Sequence, residues 1–323
     1  MTDQPRFAPP VQRMVDGFAA SLARPFDLAM LPKARERFAA MAGPPDVVTG
    51  VAVTDVDAGG VPVRLYRPQR DGRLPLHVHF HGGGFVLGSA LSGQFDGMLS
   101  RRAALSGAIV ASVEYRLAPE HRFPAGVEDS FAALAALVGQ AAALGVAAEA
   151  VSVGGVSSGG NFAAAVALMA RDRGGPALIL QLLEIAGTDL TKSSYAWRHF
   201  APGHDTTRER DLAMVDVYLP DVPSRTHPYA SPLFAADLSG LPPAYVMNAE
   251  FDPRRDECEA YVARLRDAGV AAVARTMSGH VHGSMSLRDW APAQAWEAEA
   301  ARVLAEANQS ALAGRSVALP VLA

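Results

Sequence analysis

The sequence predicts an α/β fold in which a mainly parallel central sheet is flanked by helices. From residue 74 onward, short apolar segments alternate with helical patterns, and this alternation is typical of parallel strands joined by right-handed crossovers. Half of the 323 residues are hydrophobic and only 19% are charged, which is enough for a large core. Between Gly187 and Pro242 no clear strand pattern occurs, and such a long interval predicts an inserted element.

The first 67 residues are predicted to form two short helices followed by a hairpin. Apolar side chains recur at helical spacing in residues 11–18 and 31–38, and the sequence Gly43-Pro44-Pro45 ends that pattern. Residues 47–55 and 61–67 then alternate apolar and polar side chains around a glycine-containing turn. The hairpin is expected to add antiparallel strands at one edge of the sheet.

Six further apolar segments predict the remaining strands, and several of them are apolar almost throughout, as in strands covered on both faces. The interval after Gly187 is interpreted as a helical cap over residues 191–225, joined in space by the N-terminal helices. The predicted organisation is therefore an N-terminal part of the cap (1–45), a first core part (46–190), an inserted cap segment (191–225) and a second core part (226–323). The predicted strands are residues 74–80, 108–114, 151–155, 177–185, 244–249 and 270–274.

A candidate nucleophile follows the strand predicted at 151–155. Ser157 lies in Gly155-Val156-Ser157-Ser158-Gly159, between that strand and a predicted helix. In a nucleophile elbow the serine occupies a tight strand-to-helix turn, and the flanking glycines allow backbone to approach it closely. The alternative is an ordinary glycine-rich turn with an inactive serine. The strand–helix context favours the elbow.

A candidate oxyanion hole follows the strand predicted at 74–80. The segment His81-Gly82-Gly83-Gly84-Phe85 contains three consecutive glycines, whose backbone N–H groups are unshielded by side chains. Such groups stabilise the negative charge that develops on a carbonyl oxygen during acyl transfer. The expected donors are the N–H groups of Gly83, Gly84 and Ser158.

The general base and the acid that orients it are expected later in the chain, in the order Ser, Asp, His. Asp252 follows the strand predicted at 244–249, whereas Asp256 lies one turn into the next helix and is interpreted as a surface charge. Two histidines, His280 and His282, follow the apolar segment 270–274. The residues themselves leave both histidines open as the base.

Taken together, these motifs resemble the bacterial hormone-sensitive-lipase-like esterases, which have the α/β-hydrolase fold. They occur in that family's order and extend from about residue 74 to residue 282. The resemblance implies an esterase with a Ser157–Asp252–His282 triad, with His282 favoured over His280, and with no metal or organic cofactor. It rests on the segments 81–85, 115–125 (YRLAPEHRFPA), 155–161, 252–256 and 282–283.

Two residues depart from the family pattern. Val156 replaces the usual acidic residue before the nucleophile, and Ser284 replaces a frequent aromatic after the histidine–glycine pair. Both are expected to change the pocket wall and not the triad.

A metal site is not expected. His77, His79 and His81 share one strand face, but His81 belongs to the glycine motif and no fourth ligand is placed nearby.

Composition excludes several functional classes. The net charge of −4 and the lack of a basic run argue against binding to nucleic acid or to an anionic membrane. Because Cys258 is the single cysteine, a disulfide framework is excluded, and its side chain is expected to pack in the buried core. The acidic and basic residues at 208–211 are interpreted as a solvated helix face. We expect a cytoplasmic enzyme, monomeric or homo-oligomeric, with a small-molecule ester as its partner.

The predicted reaction is hydrolysis of short-to-medium acyl esters through an acyl-enzyme. An amidase, lactonase or peptidase using the same triad is the alternative within hydrolases. A ligand receptor on the same scaffold is the alternative outside them, and the presence of His282 argues against it. An apolar acyl pocket is expected to be closed by cap aromatics, namely Phe18, Phe38, Trp197, Phe200 and Tyr218.

Overall fold

The computed structural model describes residues 7–22, 27–40, 46–199 and 207–320. Its centre is one eight-stranded sheet, in which the two edge strands of the predicted hairpin are followed by parallel strands. The strands are β1 (Val51–Asp57), β2 (Pro62–Pro68), β3 (Leu74–Phe80), β4 (Ile109–Val113), β5 (Val146–Val156), β6 (Leu180–Glu184), β7 (Ala244–Phe251) and β8 (Ala272–Val281). They lie in the order β1-β2-β4-β3-β5-β6-β7-β8, and β2 runs antiparallel to both of its neighbours.

Helices cover both faces of this sheet. The α-helices of the described ranges are α1 (Pro9–Leu22), α2 (Leu31–Ala40), α3 (Asp96–Ser106), α4 (Ala125–Gly139), α5 (Ala141–Leu144), α6 (Ser158–Asp172), α7 (Tyr195–His199), α8 (Arg208–Tyr218), α9 (Arg255–Asp267) and α10 (Ala291–Leu312). Alternate residues of β7 point to opposite faces, as the pleat of a strand requires. Val246 packs in the core with α6 and α9, and Met247 packs against α10. The predicted α/β-hydrolase fold is confirmed.

The largest difference from the predicted strands concerns β8. The segment expected at 270–274 runs instead from Ala272 to Val281, because its pairing with β7 resumes after an irregularity and reaches the pair Phe251–Val281. His280 therefore lies inside the strand, and His282 comes directly after it. The longer strand places the two candidate histidines in different environments.

In the described residues, the two predicted cap segments contain the helices α1 and α2 and the helices α7 and α8, and they lie near the carboxyl edge of the sheet. Val11 and Val15 of α1 pack against Val281 at the end of β8. In the inserted segment, Tyr218 of α8 stacks on Phe85 at 4.1 Å between ring centroids. Phe200 lies outside the described residues. The exact domain boundaries drawn from the sequence stay a prediction.

The second N-terminal helix is tied to the loop that follows β3. The Arg35 side chain of α2 donates hydrogen bonds to the carbonyl oxygens of Val86 (2.8 Å) and Ala118 (2.9 Å) and pairs with Glu120 (2.8 Å). These bonds connect α2 to two of the sequence motifs. In the described part of the chain, no helix combines the length and apolar character that crossing a membrane requires.

Candidate active site

Ser157 occupies the turn between β5 and α6. Its backbone has φ 57° and ψ −117°, a conformation that residues with side chains rarely adopt. The turn is possible because the neighbouring backbone comes very close: a Cβ on Gly159 would lie 1.9 Å from the carbonyl oxygen of Phe80. The Ser157 N–H donates to the Glu184 carbonyl at 2.9 Å, which fixes the turn to β6. The predicted elbow geometry is present.

The three residues predicted as a triad lie within hydrogen-bond distance of one another. His282 Nε2 is 3.0 Å from Ser157 Oγ, and His282 Nδ1 is 2.6 Å from Asp252 Oδ2. Asp252 follows β7 directly and its other oxygen accepts the Arg254 backbone N–H at 2.9 Å. Burial raises the pKa of Asp252, but His282 and Arg254 outweigh it and lower that pKa to about 2. The carboxylate is therefore ionised at neutral pH, as an orienting acid requires.

His280 and Asp256, the residues not favoured as the base and the orienting acid, make other contacts. His280 is buried beside the rings of Trp290 and Trp296, and its Nδ1 lies 2.8 Å from Ser284 Oγ. Burial lowers the pKa of His280 to about 4. Asp256 accepts the Ala196 N–H at 2.8 Å at the start of α7, so it is more than the surface charge that was expected.

The glycine loop after β3 presents the expected oxyanion donors. Gly83 has φ 140°, and a Cβ there would lie 2.0 Å from the Leu87 carbonyl oxygen, so the turn requires glycine. In the part of the chain that the structure describes, no hydrogen bond uses the N–H of Gly83 or Gly84. Ser158 is the first residue of α6, where N–H groups lack an acceptor within the helix. These three N–H groups are available to a developing oxyanion.

Aromatic stacking holds this loop in place. The His81 ring stacks on Tyr115 at 4.2 Å and on Phe95 at 5.6 Å, and the Tyr115 hydroxyl donates to the His81 carbonyl at 2.7 Å. Burial lowers the pKa of His81 to about 4, so the ring is neutral. Among the described residues, no group of three His, Cys, Asp or Glu side chains is arranged to hold a metal ion.

A cavity of about 290 Å³, partly open to solvent, lies between Ser157 and the cap. Its apolar wall comes from Leu190, Met214 and Val215, and its polar wall comes from Lys192, Asp211 and Arg254. Of the cap aromatics expected to close this pocket, Phe18, Phe38, Trp197 and Tyr218 are not among its lining residues, so the expectation is wrong for these four. Tyr218 lies behind Phe85, and Trp197 is buried beneath Lys192 and Arg254 because its indole packs on both cations. The other lining residues are Gly84, Phe85, Ser157, Ser158 and Gly187.

Three further expectations, for Val156, Ser284 and Cys258, can be compared with the structure. Neither Val156 nor Ser284 lines the cavity, so the expected change to the pocket wall is wrong. Ser284 instead accepts the Val281 N–H at 3.1 Å and closes the turn that carries His282. Cys258 is buried, as predicted.

The interpretation of residues 208–211 as a solvated face holds for the exposed Glu209, but it is wrong for Asp211, which is only 8% exposed. It belongs to a buried group of charges beside the triad, here called the pocket cluster: Lys192, Asp211, Arg254 and Glu257. Lys192 Nζ lies 3.2 Å from Asp211 Oδ2 and 3.7 Å from Glu257 Oε1, and Arg254 pairs with Asp211. Burial raises the pKa of Glu257 to about 8. Sequence patterns missed this cluster because Lys192 and Asp211 are far along the chain from Arg254 and Glu257.

Comparison with known proteins shows the family to which the chain belongs. A family described as having the alpha/beta hydrolase fold matches residues 77–286. Carboxylesterase NlhH of Mycobacterium tuberculosis is 38% identical over 276 residues, which cover 81% of this chain and 84% of that one. An arylesterase of Saccharolobus solfataricus is 37% identical over 69% of this chain and 72% of its own length.

Among solved structures, a hyperthermophilic esterase from Pyrobaculum calidifontis superposes with a TM-score of 0.83 at 38% identity, covering 93% of this chain and 98% of that one. A bacterial heroin esterase superposes with a TM-score of 0.82 at 34% identity, covering 91% of this chain and 97% of its own. The chain therefore belongs to the hormone-sensitive-lipase-like family of the α/β-hydrolase fold, and it is a serine hydrolase of carboxylic esters.

Proposed function

We propose that the enzyme cleaves short-to-medium acyl esters through an acyl-enzyme on Ser157, with His282 as general base and Asp252 as the acid that orients it. The observation that carries the proposal is the chain of contacts from Ser157 Oγ to His282 Nε2 (3.0 Å) and from His282 Nδ1 to Asp252 Oδ2 (2.6 Å). This order of contacts matches the roles of a nucleophile, a base and an orienting carboxylate.

In the proposed mechanism His282 Nε2 takes the Ser157 proton as Oγ attacks the ester carbonyl. The resulting oxyanion is bound by the N–H groups of Gly83, Gly84 and Ser158. His282 then protonates the leaving alcohol, and Asp252 stabilises the imidazolium in the interval. A water molecule, deprotonated by His282, attacks the acyl-enzyme and releases the acid, and the proton returns to Ser157.

The preference for short-to-medium acyl groups is supported by the cavity beside Ser157. This space is small, because its empty volume of about 290 Å³ already includes space open to solvent. Each buried CH₂ adds up to about 0.8 kcal/mol of binding while apolar wall remains available. A longer chain then meets the charges of Lys192, Asp211 and Arg254, whose contact with an alkyl group gives no such gain.

Labelling with a fluorophosphonate probe tests the nucleophile. The wild type is expected to lose activity in proportion to probe incorporation, and the Ser157→Ala variant to take up no probe. Ser158→Ala is the matched control, because its side chain is not the proposed nucleophile and its backbone N–H is retained. Labelling that survives Ser157→Ala but disappears in Ser158→Ala would contradict the assignment. A folded wild type that takes up no probe would favour a ligand receptor.

Substrate series test the chemistry and the pocket. Matched ester, lactone and anilide substrates separate an esterase from a lactonase or amidase, and we expect kcat/KM to be highest for the ester. Across acyl chain lengths, kcat/KM is expected to peak at short-to-medium chains. A value still rising at palmitoyl esters would contradict the pocket argument. A cytoplasmic location and the oligomeric state stay predictions.

A further inference from the structure

Arg254 lies at the point where the triad meets the cap. It follows Asp252 by two residues, and its backbone N–H donates to Asp252 Oδ1 at 2.9 Å. Its guanidinium Nη1 is 3.5 Å from the same Oδ1 and 3.3 Å from His282 Nδ1. Because His282 Nδ1 donates its own proton to Asp252, the guanidinium and the imidazole are two donors directed at one carboxylate. Arg254 thus contacts the orienting acid through its side chain as well as its backbone.

The other end of the same guanidinium is bound by the cap. Arg254 Nη2 donates to Asp211 Oδ1 in the first turn of α8, and Lys192 Nζ lies 3.2 Å from the second oxygen of Asp211. The Trp197 ring packs against both cations, 4.9 Å from the guanidinium carbon and 5.0 Å from the ammonium nitrogen. All four side chains are buried. The guanidinium is therefore held from several directions at once.

Stability alone does not account for such an arrangement. A buried ion network adds little net stability over apolar packing of the same volume, because desolvation offsets most of the attraction. The position of this network does have a chemical consequence. A small displacement of a catalytic group lowers the rate strongly. A fixed Asp252 carboxylate therefore keeps His282 in the orientation that the reaction requires.

We infer that Arg254, held by Asp211 of the cap, is a positioning residue that fixes Asp252 and His282 and couples the cap helix to the triad. The inference rests on the proposed function. It also assigns Asp211 and Lys192 a part: Asp211 binds the guanidinium, and Lys192 neutralises the remaining oxygen of Asp211.

Because charged groups surround His282, the inference predicts a change in the pH dependence of activity that a merely structural role would not produce. Two carboxylates act on the imidazole, Asp252 from the loop after β7 and Asp211 from α8, and both favour its protonated form. Arg254 opposes protonation at close range, whereas Lys192 acts from beyond Asp211. Loss of the Arg254 cation therefore favours the imidazolium of the free enzyme, and loss of the Asp211 charge disfavours it.

The test measures kcat/KM against pH, with a short acyl ester, for the Arg254→Met, Arg254→Lys and Asp211→Asn variants and the wild type. For Arg254→Met we expect a fall in kcat/KM on the order of 10- to 100-fold at neutral pH. Its acid limb is expected to move to higher pH. Arg254→Lys keeps the charge and is expected to keep the acid limb near that of the wild type. Asp211→Asn is expected to move the acid limb to lower pH.

Arg255→Met is the matched control, because it makes the same substitution one position along. Among the described residues, the Arg255 side chain contacts the Glu250 carbonyl, Asp256 and Glu259, and none of these three belongs to the triad. It is expected to leave the acid limb where it is in the wild type. Acid limbs of Arg254→Met and Asp211→Asn that coincide with that of the wild type would overturn the inference. If Arg254→Met does not fold, the acid limb of Asp211→Asn alone decides whether the inference stands. A wild type without esterase activity would instead overturn the proposed function.

Discussion

Two largely buried ionic clusters are connected to the turn that carries Ser157, and only one of them contacts Asp252 and His282 of the proposed triad. The pocket cluster of Lys192, Asp211, Arg254 and Glu257 lies on the cap side and contributes three residues to the cavity wall. The second, here called the floor cluster, consists of Arg102, Glu184 and Glu297. It lies beneath the sheet, between α3, β6 and α10.

The floor cluster is largely buried, like the pocket cluster, and only Glu297 is partly exposed. Arg102 and Glu184 are fully buried and bonded to each other, and Trp296 Nε1 donates to Glu184 at 2.8 Å. Glu184 is linked to the elbow through the main chain, since its carbonyl accepts the Ser157 N–H. Burial and charge are therefore shared by both clusters, and what separates them is whether their side chains contact the triad. Changes on the cap side are expected to alter turnover, and changes on the floor side to alter stability.

The largest expected difference between the two sides is in kcat, and it comes from substituting the two histidines near the end of β8. His282→Ala removes the base and is expected to lower kcat by on the order of 10⁴- to 10⁶-fold with little change in Tm, because the nucleophile and the base act as a unit. His280→Ala removes a ring packed on Trp296 beside the floor cluster, and is expected to cost about 2 kcal/mol of stability. Steady-state kinetics and urea unfolding of both variants measure the two effects. An inactive His280→Ala beside an active His282→Ala would reverse the assignment.

The two aspartates near the start of α9 give the next contrast, both on the cap side. Asp252→Asn favours the wrong tautomer of His282 and is expected to lower kcat by about 10⁴-fold. Asp256→Asn is expected to be mild, because Asp256 contacts the backbone of Ala196 and no triad atom. Single-turnover acylation rates compare the two variants directly. If Asp256→Asn were the more damaging change, the orienting acid would lie one turn further along the chain.

A change in the floor cluster is expected to affect stability and leave turnover intact. Glu184→Gln leaves the buried Arg102 with one charged partner, Glu297, and is expected to cost about 3–5 kcal/mol in the free energy of unfolding. Glu306→Gln is the control, since Glu306 forms an exposed pair with Arg302 whose loss costs at most about 1 kcal/mol. Denaturant unfolding gives the stabilities, and titration of active sites corrects kcat for unfolded protein. A corrected kcat that falls with stability would show that the floor cluster also acts on the elbow.

The sequence predicted the sheet, and pointed to Ser157, Asp252 and His282 as the proposed triad, because the signals for both are local. Ser157 and the glycine loop each lie in a short motif at a strand end, where a parallel sheet brings functional groups together. The pocket cluster has no such signal. Asp211 lies in a run of alternating charges that also fits a solvated helix face, and only the packing of α8 on the loop that carries Lys192 reveals its burial. The end of β8 was missed for a similar reason, since its pairing with β7 extends past an irregularity.

The smallest expected effect concerns Glu257, the one member of the pocket cluster that does not line the cavity. Burial raises its pKa from the ordinary 4.5 to about 8, so the folded protein holds a proton there that the unfolded chain has released. Between these two values the unfolded state binds fewer protons, and stability therefore falls as the pH rises. Glu257→Gln removes this titration while keeping the shape of the side chain. We expect the stability of the variant relative to wild type to increase from pH 6 to pH 8 by on the order of 1 kcal/mol. Urea unfolding at both pH values measures it, with Glu259→Gln, an exposed residue of the same helix, as the control. Parallel pH dependences for wild type and Glu257→Gln would mean that Lys192 keeps Glu257 ionised in the fold, and that the pocket cluster is as fully charged as the floor cluster.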